Sequence, residues 1–125
     1  MENDKKDVGW IFDFMYYLQS AVSLEHHAIE SLSNSTDKNM KKLWLEIAEK
    51  TRRNRSKWMY RYISEGGGQK YCASKHLMQM AQSLKELGNR FTERKEYKLA
   101  EECFNESQEC EAIFILLNEE GGKNV

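Results

Sequence analysis

The chain contains no proline, so no residue lacks a backbone N–H or drives a ring into the preceding helical turn. A helix can run for as long as its apolar spacing lasts. The seven glycines gather at Gly66-Gly67-Gly68 and Gly121-Gly122, with Gly9 and Gly88 single, a distribution suited to long helices and few turns. Apolar residues recur at a period near 3.6 in four stretches. The first helix is expected over about 8–33, lined by Ile11, Phe14, Leu18, Ala21, Val22, Ala28, Ile29 and Leu32. The second is expected over about 37–64, with Met40, Leu43, Trp44, Ile47, Trp58 and Tyr62. The third covers about 69–91, with Ala73, Leu77, Met80, Leu84, Leu87 and Phe91. The fourth covers about 93–119, with Leu99, Cys103, Cys110, Ile113, Phe114 and Leu117.

Punctuation supports these limits. Asn34-Ser35-Thr36-Asp37 stops the first helix and supplies an N-cap for the second. The three glycines end the second helix, Thr92 can cap the fourth, and Gly121-Gly122 closes it. No run alternates as a strand does. Short links favour antiparallel neighbours, so the expected fold is all-α, an antiparallel up-down-up-down four-helix bundle. At 125 residues the chain reads as one domain, 1–125.

The start, MENDKKDVGW, has no apolar core of a signal peptide. No apolar run approaches the length of a membrane span. The expected setting is cytoplasmic. The three cysteines, Cys72, Cys103 and Cys110, form no compact CxxC and are expected as reduced thiols.

Charge is distributed unevenly. The formal net charge is −1, yet residues 38–61 hold nine lysines and arginines (38, 41, 42, 50, 52, 53, 55, 57 and 61) against two glutamates. Residues 99–120 hold seven glutamates and no lysine or arginine. All the cations of the second helix except Arg55 project away from its apolar line, interleaved with Tyr60. Such a stripe can dock an acidic protein face, rest in solvent opposite the acidic fourth helix, or hold a nucleic-acid backbone. A pI near 6.3 speaks against a dedicated nucleic-acid binder, so docking ranks first, a solvated face second and RNA or DNA third.

Chemistry-bearing residues are few. GxSxG, a phosphate-cradling glycine loop and HExxH are all missing from the sequence. Glu25 lies at the centre of the first helix's apolar line, where an unpaired carboxylate is costly. It reads either as a metal ligand or general base, or as a structural carboxylate. In the second case its partner is a lysine, a tyrosine or a helix N-terminus. Counting along antiparallel helices puts it level with Glu46, Gly88 and Tyr97-Lys98, near the start of the fourth helix. Thr51, Asn54 and Arg55 interrupt the second helix's line and suggest a small buried polar layer. His27 projects opposite the apolar line, His26 and His76 on flanks. Cys72 and His76, at i and i+4, with Glu25 and His26 make an alternative set for a transition metal ion.

Two resemblances bear on the architecture. The strings AVSLEHHAIESL and LWLEIAEKTRRNRSKW resemble the first half of a ferritin-like or rubrerythrin-like bundle. That likeness implies a four-helix bundle in which Glu25 matches a metal-ligating glutamate. Thr51-x-x-Asn54 and Ser107-x-x-Cys110 stand where that family carries Glu-x-x-His, so it implies the bundle rather than di-iron chemistry. The string LKELGNRFTERKEYKLAEECFNES resembles one tetratricopeptide hairpin, with Gly88 and Ala100 as the small residues that let two helices approach. RRNRSKW and YCASKHL are similar to segments of small archaeal helical proteins, which implies no activity.

The function expected from these features is a non-enzymatic interaction or assembly module. Arg52, Arg53, Lys57 and Tyr60 of the second helix would dock an acidic protein partner or a second copy. The alternatives are a metal-binding or redox bundle and an RNA- or DNA-binding protein.

Overall fold

A computed structural model describes residues 9–63 and 67–120. Among the described residues four helices follow in order: α1 Trp10–Asn34, α2 Lys38–Ile63, α3 Gly67–Glu93 and α4 Tyr97–Ile115. They form the expected all-α, up-down-up-down bundle. A single π-helical turn, Leu116–Glu120, continues α4. Gly67 and Gly68, expected in the turn that ends the second helix, instead open α3; Gly66, the chain start and Gly121-Gly122 lie outside the described residues.

The helix ends have local causes. Ser35 leaves α1 in extended backbone, φ −86° and ψ 140°. Asp37 then caps α2, its Oδ1 accepting the Asn39 N–H at 3.0 Å. The other expected cap is absent. Thr92 lies inside α3, where its hydroxyl donates to the Gly88 carbonyl at 2.9 Å, a local bond open to a helical threonine. The helix ends two residues later than the periodicity suggests, in a Schellman turn. Lys95 N–H donates to Thr92 O at 3.0 Å, and Glu96 N–H donates to Phe91 O at 2.9 Å. Lys95 takes the left-handed position, φ 62°, that glycine usually fills.

The most extensive contacts lie within the hairpins α1–α2 and α3–α4, and the hairpins meet chiefly through α1 and α3. Helices α2 and α4 scarcely touch and take the two far corners. The core gathers toward one end: Ile11, Phe14, Met15 and Leu18 of α1, Met59 and Ile63 of α2, Met78 and Ala81 of α3, and Cys110 and Phe114 of α4.

Two of the expected apolar lines are displaced. On α3 the buried residues are Ser74, Met78, Ala81 and Gly88, while Ala73, Met80 and Leu87 are exposed. On α4 they are Ala100, Cys103, Ser107, Cys110 and Phe114, while Leu99 and Ile113 are exposed. Small residues define where two helix axes come closest, and large ones flank that line. A Cβ on Gly88 would stand 2.5 Å from Phe104 Cε1, and the Ser107 hydroxyl donates to the Ala81 carbonyl at 2.7 Å. The small residues singled out at Gly88 and Ala100 are buried as expected. On the α1–α2 hairpin, near its turn, Ile29 is 56% exposed although it lies on the apolar line, and Met40 and Leu43 are exposed too.

Candidate interaction surface

The inner face of α2 is fixed by one ion pair and a column of rings. Arg55 is buried, and its Nε donates to Glu25 Oε1 at 2.9 Å; the two side chains are 6% and 17% exposed. Glu25 is therefore paired, as a carboxylate on an apolar line must be, but its partner is Arg55 and not the start of α4. The long guanidinium arm reaches across the α1–α2 interface, whereas α1 meets α4 only sparsely. Arg55 Nη1 also approaches Met59 Sδ at 3.4 Å. Burial raises the Tyr17 phenol pKa, and the Arg55 charge opposes that rise. The expected buried layer shrinks to Arg55, because Thr51 is half-buried and Asn54 exposed.

Toward the C-terminal end of α2, Trp58 stacks on Tyr62 at 6.3 Å and 16°. Tyr62 stacks on Trp10 at 5.3 Å and 24°. Phe14 joins Tyr62, at 5.1 Å, to Phe114 in the core, at 6.2 Å. Cations lie on this column from outside: Lys57 Nζ is 5.1 Å and the Arg61 guanidinium 5.3 Å from the Trp58 ring. Each such contact is modest where water is close. Together they tie the outer face of α2 to the core.

That outer face is strongly basic. Eight of the nine cations are exposed, Arg55 alone being buried. Arg53 pairs with Glu49 one turn earlier. Among the described residues, Lys38, Lys41, Lys42, Lys50, Arg52 and Lys57 have no carboxylate within ion-pair distance. Glu49, Arg52, Arg53 and Ser56 line a shallow open hollow. Tyr60 is 63% exposed, its ring 5.0 Å from that of Tyr71 on α3. Arg52, Arg53, Lys57 and Tyr60 thus share one accessible helix, in or beside the stripe assigned from sequence. Exposed glutamates of α4 (101, 102, 106 and 109) do not offset it within the molecule, since α2 and α4 scarcely meet.

The alternative metal set is dispersed. Glu25 is engaged by Arg55. His26 is exposed, with Nε2 3.3 Å from Glu30, and Cys72 and His76 are exposed on α3. Among the described residues no three histidine, cysteine, aspartate or glutamate side chains are grouped as a metal ion requires. His27 is exposed as expected, 3.8 Å from Glu86. Cys103 and Cys110 are buried free thiols, Cys72 an exposed one.

Periodicity alone does not disclose a second polar layer. Gln19 Nε2 donates to Glu111 Oε2 at 2.7 Å, and Lys85 Nζ donates to Gln19 Oε1 and to Glu111 Oε2, both at 2.8 Å. The triangle joins α1, α3 and α4 and satisfies itself. Near the π-turn, buried Asn118 donates through Nδ2 to Ser74 Oγ at 3.0 Å and to Phe114 O at 2.9 Å. No fully buried side-chain nitrogen or oxygen among the described residues lacks a partner.

Comparison with protein-family models, with curated proteins and with solved structures gave no match. Among the described residues no helix is long and apolar enough to cross a membrane.

Proposed function

We propose that the chain is a non-enzymatic helical interaction module that docks an acidic partner through the outer face of α2. The observation that carries this reading is the run of exposed cations without carboxylate partners, set on a helix anchored by the Trp58–Tyr62–Trp10 column. A rigid charged face loses little entropy when a partner settles on it. Opposite charge speeds the encounter and selects orientation. Arg52, Arg53 and Lys57 make the charge contacts, and Tyr60 supplies flat apolar area beside them.

Affinity capture from the native cell tests this. Reversing Arg52, Arg53 and Lys57 to glutamate removes the captured partner and leaves the helical circular dichroism unchanged. Equal capture by the reversed variant refutes the reading.

The rings interleaved with cations on the same helix (Lys57, Trp58, Tyr60 and Arg61) give nucleic acid a specific observation in its favour, because bases stack on such platforms. Titration with single-stranded RNA and DNA at two salt concentrations separates the cases. Phosphate contacts weaken steeply with salt, and a flat response dismisses them.

A further inference from the structure

We propose that a second copy of this chain occupies the α2 face, with α2 of one copy lying antiparallel along α4 of the other. This rests on the docking role assigned to α2 and names a partner for it.

Two stripes carry the inference. On α4 and the first residue of its π-turn, Leu99, Glu102, Glu106, Glu109, Ile113 and Leu116 follow alternating steps of three and four, and all six are exposed. They run beside the buried line Ala100, Cys103, Ser107, Cys110 and Phe114, one residue earlier at each step. On α2, Leu43, Glu46, Lys50, Arg53, Lys57 and Tyr60 follow the same alternation, and all six are exposed. Steps of three and four keep residues in one seam along a helix, the spacing by which two helices meet side by side.

The stripes complement each other in one direction. Laid antiparallel, Lys50 faces Glu109, Arg53 faces Glu106 and Lys57 faces Glu102, while Leu43 meets Leu116 and Tyr60 meets Leu99. Glu46 falls opposite Ile113, so no like charges oppose. Laid parallel, Glu46 opposes Glu102 and Lys57 loses its partner to Ile113. Three opposite-charge pairs between two apolar ends fix both register and direction. The pair cannot form within one chain, since α2 and α4 run the same way and occupy far corners. Arg53 exchanges its exposed partner Glu49 at small cost, because such surface pairs contribute little. The central charges keep the contact sensitive to salt.

The test is the mass of nuclease-treated full-length chain by sedimentation at low salt with reductant present. Two or more copies per particle are expected, falling toward the single-chain 14.8 kDa as salt rises. The variants Lys50→Glu/Arg53→Glu/Lys57→Glu and Glu102→Lys/Glu106→Lys/Glu109→Lys are each expected to self-associate roughly tenfold more weakly or worse. Mixed together they are expected to reassemble, since each supplies the sign the other has lost. A single-chain mass for the wild type, unchanged mass in either variant, or failure of the mixture to reassemble overturns the proposal. The α4 variant also separates the two readings: it leaves the α2 face intact, so capture of another acidic partner persists while self-association is lost.

Discussion

Between α3 and α4 the buried line carries small residues (Ser74, Ala81, Gly88, Ala100 and Ser107) beside the large Met78 and Phe114, and a hydroxyl of one helix reaches a backbone carbonyl of the other. Between α1 and α2, near their turn, Ala28 is buried while the large Ile29, Met40 and Leu43 are left exposed. The two hairpins differ little in length and composition, so apolar content does not decide which one is tight. What differs is the burial of large side chains near the turn: in the tight contact Phe104 closes on Gly88, as interiors that pack as densely as organic crystals require. What holds the looser hairpin in the middle is the Arg55–Glu25 pair, and at its far end the aromatic column.

The largest loss of stability is expected in the core that the two hairpins share. Phe114→Ala should cost about 3–5 kcal/mol, measured by denaturant unfolding, because both hairpins pack on that ring. Next comes Arg55→Ala, which leaves Glu25 mostly buried without its cation and should cost about 1–3 kcal/mol. Arg55→Ala/Glu25→Gln should recover part of that loss, and no recovery would mean that the pair does not hold α1 to α2. On the tight hairpin, Gly88→Leu should cost about 1–3 kcal/mol through overpacking against Phe104. A neutral result would show that the ring turns aside freely and that the contact is looser than its distance implies. Lys95→Gly should stabilise by about 0.5–1 kcal/mol, since it relieves the left-handed backbone that ends α3. The smallest effect belongs to Ile29→Ser on the open hairpin, within about 0.5 kcal/mol.

The four helices and the first turn were legible in the sequence, because unbroken periodicity and the Asp37 cap are local signals; the last turn was misread, Thr92 lying inside α3. Which residues faced inward was legible over most of α1, Ile29 excepted, and only partly elsewhere. Hydropathy favoured Leu87, Leu99 and Ile113, but close approach selects Gly88, Ala100 and Ser107, and no hydropathy scale rewards a glycine for letting Phe104 near. The basic stripe on α2 was visible at once. Its anchorage was not, since the Trp10–Tyr62 stack joins residues far apart in the chain. Glu25 was correctly placed where it needs a partner, and the partner was misplaced because register counting ignores the reach of an arginine. The Gln19–Lys85–Glu111 triangle left no trace, because three common polar residues on three helices share no spacing.

The depth of the thiols has a practical consequence. Burial first, and then the neighbouring Glu109, Glu106 and Glu111, push the Cys110 thiol up from its ordinary pKa, which keeps it in the unreactive protonated form. Cys103 is shielded by burial as well, so Cys72 on α3 is the accessible thiol. A maleimide dye or spin label should therefore attach at one defined point that belongs to neither charged stripe, making the molecule a ready reporter of its own encounters.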